Sequence, residues 1–281
     1  MSKRGWLNLV LLVAVVGLGT LVYFNPGEQA QPVVRLTKLD PDAVQKATLT
    51  RPGMETVVLQ RGKDGWQLVQ PVVVAARQPQ VQQLLGLLQL RSLQRYPVPG
   101  LALNKYGLEP PRATLEADGV ELAFGKLNPL NNHLYVKVGQ MMHMVAYNDI
   151  SLLTGSWTAF VSTAPLPDQT LTRLKVPGLG VIEQGEQGWH YTGDKAPASA
   201  DQMQALADAW RHAEARQVRL LQEANATEQV VVQLSQGEKI SLAMQHNKNE
   251  LVLQRRDLGL EYVFDAPAAQ RLLAWPSLGN S

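Results

Sequence analysis

The sequence predicts an α+β protein: an N-terminal transmembrane helix followed by two tandem related units, each of antiparallel hairpins packed on a helix. Three observations carry this prediction. The first 24 residues hold a long apolar run. The rest alternates short strand patterns with amphipathic helical stripes, and that series of signals then occurs a second time, with "EQGWHYTGD" at Glu186 to Asp194 answering "KDGWQLVQP" at Lys63 to Pro71.

The chain opens with Lys3 and Arg4, followed by a largely apolar run from Trp6 to Phe24. A helix rises 1.5 Å per residue, so such a run covers about 30 Å, one bilayer core. Trp6 and Tyr23 stand near its two ends, where interfacial aromatics belong, and the basic pair places the N-terminus in the cytoplasm. Pro26 and Gly27 stop the helix. A cleavable signal peptide is the competing reading, but its apolar core is only about 7–15 residues. The longer run and the poor cleavage site at Glu28-Gln29-Ala30 favour an anchor. Residues 1–24 are therefore expected to be the cytoplasmic N-terminus and membrane anchor, and 25–34, with two prolines, a linker. The first unit is expected over 35–165 and the second over 166–281.

Composition narrows the function classes. Hydrophobic residues make up 45% and charged residues 18%, which is a globular rather than a disordered balance. With no cysteine there is no disulfide framework, thiolate nucleophile or Cys-ligated metal cluster. The formal net charge of +2 comes entirely from Lys3 and Arg4, so the exported part is neutral and no nucleic-acid partner is expected.

In the first unit, Ala47–Arg51 and Thr56–Arg61 read as strands around Pro52-Gly53, and Trp66 and Leu68 share one face of a third. Val81, Leu84, Leu85 and Leu88 follow helical spacing, with Pro79 suited to the first turn. After a Pro/Gly-rich crossing come hairpins turning at Asp118-Gly119 and Gly139-Gln140, then a short helix near Asn148 and Asp149. In the second unit, strands flank Pro177-Gly178, and Trp189 and Tyr191 share a strand face. Ser199 and Gln202 make a capping box ahead of Met203, Leu206, Ala207 and Trp210. Hairpins follow, one turning at Gln236-Gly237 and one over Glu250–Phe264, and Asp265 caps a last short helix. On this reading Trp66 and Trp189 are matched core anchors, each turned into place by the glycine before it.

No motif names a reaction. "QMMHMV" at Gln140 to Val145 offers thioethers beside an imidazole, a donor set that suits copper(I). Met142 and Met144 would face one side of a strand, however, and His143 the other. Methionine is also a ready core filler, so packing is the favoured reading and metal ligation by Met142, His143 and Met144 the minor one. The remaining histidines, His133, His190, His212 and His246, show no ligand spacing, and there is no Gly-x-Ser-x-Gly elbow. No catalytic residue and no cofactor are expected. The polar loop Lys126–His133 reads as a connector.

"DGWQLVQP", the helix "VQQLLGLLQLRSL", "KYGLEPPRATLEADGVELAFGK" and "HLYVKVGQ" together resemble the bacterial domain-of-unknown-function 4340 family over roughly Val33 to Pro165. One departure is Ala75-Ala76-Arg77, where members often carry Ala-Asp; the second unit does have Ala200-Asp201. The resemblance implies one N-terminal helix in the bacterial inner membrane, through residues 6–24, with the rest in the periplasm. It also implies association with ABC-type export systems, including those linked to gliding motility. The expected function is a non-enzymatic accessory or scaffold protein with an envelope protein as partner, an ABC transporter permease being one such partner. A periplasmic ligand- or copper-binding module is the alternative. The resemblance supplies no catalytic residues.

Overall fold

The computed structural model describes residues 6, 11–17, 20, 34–147, 149–193, 198–223 and 226–276. Most of the apolar segment 6–24, and the linker before residue 34, lie outside them. Residues 11–17 are helical, and Leu11, Leu12, Val13, Val15 and Val16 are each more than half exposed. Among the described residues no helix is long and apolar enough to cross a membrane.

The rest is mainly antiparallel sheet with a few helices. The first sheet is built from β1 (Lys46–Thr50), β2 (Val57–Gly62), β3 (Gly65–Gln70), β4 (Val74–Ala75), β5 (Ser92–Pro97), β6 (Ala113–Ala117), β7 (Val120–Leu127), β8 (Leu134–Val138) and β9 (Met141–Val145). The second is built from β10 (Leu171–Val176), β11 (Gly180–Gly185), β12 (Gly188–Thr192), β13 (Gln217–Leu220), β14 (Glu228–Leu234), β15 (Lys239–His246), β16 (Glu250–Arg255) and β17 (Leu260–Asp265). Their strand orders are β4-β3-β2-β1-β6-β7-β8-β9-β5 and β12-β11-β10-β14-β15-β16-β17-β13. Matching β1 to β10 and proceeding along the chain makes the two orders coincide, with β4 alone lacking a counterpart.

Each sheet has one helix that carries the chain across a face, from one edge to the other. In the first it is α1 (Gln78–Gly86), which buries Val81, Leu84 and Leu85. A short α2 (Ser151–Thr154) then leads out of that sheet. In the second sheet the crossing helix is α3 (Ala200–Arg211), which buries Met203, Leu206, Ala207 and Trp210. The Trp210 indole N–H donates to the Leu272 carbonyl of α4 (Ala266–Leu273) at 2.9 Å. Ser199 and Gln202 close the expected capping box, and the Asp265 carboxylate accepts from the Ala268 N–H at 3.0 Å. α1 has no side-chain cap.

Alternation supplies the core. Ala47 and Leu49, Val57 and Leu59, Trp66 and Leu68, and Leu115 and Ala117 point inward from the first sheet; Val230, Val232 and Leu234 do so from the second. Gly65 and Gly188, the residues before the two tryptophans, share a φ of 112° and 109°, a conformation that favours glycine. The tryptophans themselves differ from the expectation of two core anchors. Trp66 is buried, whereas Trp189 is only half-buried and sends its indole N–H to the Gln204 side chain on α3 at 3.0 Å.

Three strands lie where the sequence suggests connections: β4, β5 and β13. β5 is an edge strand with five of its six residues exposed, so it has no buried face to impose a two-residue period. The segment "NKYGLEPP" is likewise not a plain crossing. It begins with a 3-10 turn at Leu103–Tyr106 and closes the outer face of the first sheet. There Leu101, Leu103 and Tyr106 pack on Leu108, Ala123, Tyr135, Met142 and Met144. A side chain at Gly125 would collide with the Tyr106 carbonyl oxygen, so β7 needs glycine where this cover approaches.

Candidate functional site

The two sheets meet along residues 160–168. The Arg77 N–H, ahead of α1, donates to the Phe160 carbonyl at 2.9 Å, and the Ala215 N–H, beyond α3, donates to the Thr163 carbonyl at 2.9 Å. Arg255 Nη1 donates to the Pro165 carbonyl at 2.7 Å. The connecting segment is thus tied by backbone carbonyls to both halves. Two prolines, Pro165 and Pro167, stiffen it.

A cleft of about 690 Å³ opens at this junction. β4 lines it with Val74 and Ala75, the connecting segment contributes Val161, Ser162 and Ala164 to Asp168, and the second sheet faces them with Arg255, Leu260 and Tyr262. Arg211 at the end of α3, His212 and Glu214 just past it, and Glu238 in the β14–β15 turn add to the lining. This volume lies in the usual range for small-molecule and peptide clefts, about 300–1,000 Å³.

Charge is distributed unevenly across it. Arg211 faces Asp168 at 3.6 Å, with both side chains well exposed, so that pair contributes little. Arg255 is buried and bidentate on Asp257, with Nε–Oδ1 at 2.9 Å and Nη2–Oδ2 at 2.7 Å. The hydrogen bond from Arg255 holds the Asp257 carboxyl below the usual carboxylate range. Burial pushes the Tyr262 hydroxyl up from its ordinary value. Tyr262 is 2% exposed, lines the cleft and makes no hydrogen bond to the described residues.

The residues singled out for metal ligation are not gathered into one site. Met142 and Met144 lie in the apolar cluster of the outer face. His143 points to the opposite face, where its Nδ1 meets the Ser92 hydroxyl of β5 at 2.9 Å. The same hydroxyl lies within hydrogen-bond distance of the Gln94 carbonyl, at 3.2 Å. Burial, with a smaller contribution from Arg95, lowers the His143 pKa and keeps the ring neutral. Among the described residues there is no group of three or more His, Cys, Asp or Glu placed to hold a metal ion. His190 and His246 are exposed strand positions, His133 ends the β7–β8 loop, and His212 lines the cleft.

The cleft residues escaped sequence reasoning. Glu214, Glu238, Arg255 and Tyr262 come from four separate stretches and form no motif. The local signal was "RRDLG" at Arg255 to Gly259, a charged turn between two hydrophobic strands.

Two antiparallel sheets of one strand order, joined through a cleft, define the class: an α+β protein whose candidate site lies between its halves. Comparison with known families makes this specific. The family described as Domain of unknown function (DUF4340) matches residues 66–243, well over half of the chain, and the chain belongs to that family. The match begins in β3 and ends in β15. It therefore extends past the Val33–Pro165 stretch on which the resemblance rested and takes in the junction segment 160–168, while the cleft residues Arg255, Leu260 and Tyr262 lie beyond its end. No curated protein and no solved structure matches the chain.

Proposed function

We propose that this protein is a non-enzymatic accessory or scaffold protein of the bacterial envelope, anchored in the inner membrane through residues 6–24. In this reading its two sheets are copies of one unit, and it holds a partner protein in the cleft between them. A subunit of an ABC-type transporter is the partner of choice, on the association that family membership brings. The observation that carries the reading is the cleft itself: both sheets and the stiff segment between them contribute to its walls. The shared strand order supports the duplication, and the exposed apolar helical residues Leu11 to Val16 support the anchor.

A photo-crosslinking side chain at Ser162, in the full chain in its own membranes, tests this. The expected result is an adduct with an integral membrane protein, lost when Ala164→Trp fills the cleft. Adducts with soluble proteins alone, or an adduct indifferent to Ala164→Trp, would count against it.

A further inference from the structure

We infer that the element docking in this cleft is an extended, cationic segment of the partner, laid beside β4. The inference rests on the cleft being the partner site. Three independent features of its lining converge on that occupant.

The first is an open strand edge. β4 ends its sheet, paired only to β3 through Leu68↔Val74 and Gln67↔Ala75. Its outer side faces the cleft and has no strand beside it. Such an edge recruits an extended peptide through backbone hydrogen bonds. Alternate residues of that peptide would then point to the same side, where the exposed Ala75 offers apolar contact.

The second is charge. Arg211 is matched by Asp168 and Arg255 by Asp257, whereas Glu214 and Glu238 make no ion pair among the described residues. The cleft thus carries a surplus of negative charge, and complementarity selects lysine or arginine in what binds there.

The third is the Tyr262 hydroxyl. Its oxygen is reached by solvent from the cleft, and an occupant that displaces that water has to supply a hydrogen bond in its place. Because it lines the cleft, the occupant is in position to do so, and the N–H and C=O groups of an extended backbone are suitable partners.

The test uses the full chain in phosphatidylcholine nanodiscs, whose zwitterionic surface does not itself attract a cation. Three fluorescein-labelled octapeptides serve as probes: one alternating lysine and valine, one with glutamate in place of lysine, and the first with alternate amides N-methylated. The lysine peptide is expected to bind, the glutamate peptide not to, and the methylated one to bind weakly. Glu214→Gln and Glu238→Gln should each weaken binding by about three- to fivefold, as for exposed ion pairs. Tyr262→Phe should weaken it by roughly three- to tenfold, the size of one hydrogen bond. Glu116→Gln, exposed on β6, should change nothing. Equal binding of the glutamate or methylated peptide, no binding of the lysine peptide, or indifference to both Glu substitutions overturns the inference. If Ala164→Trp still abolishes the membrane adduct at Ser162, the cleft remains the partner site and only the cationic strand is lost. If the adduct persists, both fall.

Discussion

On the first sheet, the face turned away from α1 is closed by apolar side chains, with Tyr135, Met142 and Met144 beneath Leu103 and Tyr106. On the second sheet the matching strands are paired in the same way but carry different chemistry. Where Lys137 pairs with Met142 across β8 and β9, Gln254 pairs with Glu261 across β16 and β17. Glu261 is 4% exposed. It accepts from Arg219 Nε on β13 at 2.7 Å and from Gln254 Nε2 at 3.0 Å. One face is sealed by grease and the other by an ionic hydrogen-bonded cluster, over the same arrangement of strands. The comparison shows what the common architecture requires. Strand pairing, turns and one apolar face recur, whereas the outer face is free to vary, and this is why two such similar sheets share so few residues.

The two tryptophans test that contrast most severely. Trp66→Ala should cost about 3–5 kcal/mol, the usual loss for a buried aromatic, and half-buried Trp189→Ala about half as much or less. Urea unfolding of each variant measures both, and equal losses would break the asymmetry. Next comes the ionic cover. Glu261→Ala should destabilise by about 2–3 kcal/mol, since it removes one of the two acceptors of Gln254 Nε2 and leaves Arg219 without its carboxylate. Arg219→Ala in the Glu261→Ala background should then add little, which a double-mutant cycle would read directly. The helix caps give a smaller difference. Ser199→Ala should cost about 1 kcal/mol, and Arg77→Ala, at the N-cap of α1, close to nothing.

The finest discrimination is in pH. His143 has its folded pKa lowered, so the unfolded chain binds the proton first. Its contribution is complete above the unfolded value of about 6.5 and is lost as pH falls from there toward the lowered folded value. Asp257 is also lowered, but from a carboxylate's starting point. Its contribution is complete above about 3.9 and is lost only as pH falls further, through its folded value. On acidification the first sheet should therefore loosen before the second. Hydrogen exchange followed by fragment at pH 7 and pH 5 would show protection falling first in β5 and β9, and His143→Gln should flatten that response.

The sequence made much of this legible, for identifiable reasons. Strands with one buried face announced themselves by alternation, as in β1, β6 and β14. Turns at Asp118-Gly119 and Gly237, and caps at Ser199 and Asp265, depend on local chemistry and fell where expected. Edge strands had no such signature, because β5 and β13 are defined by the neighbours they pair with, β9 and β17. The Ser92 partner of His143 was missed with β5. The cleft was invisible for the same reason on a larger scale: Val74, Pro165, Glu214 and Tyr262 are related only through the folded junction. Trp189 shows the opposite error, in which matched sequence position suggested a matched environment that α3 does not provide.

Gln78 has one further consequence. Its side-chain amide accepts from the Trp66 N–H at 3.1 Å and donates to the Trp66 and Ala76 carbonyls at 3.2 and 2.8 Å. One residue thus behaves as a short piece of strand and stops the ladder beyond Ala75. The open edge is left two residues long. That ladder is too short to hold a passing copy of the same chain by itself, and only a segment that also meets the charges of the cleft gains enough to stay, so the molecule can keep an unpaired edge without seeding its own fibrils.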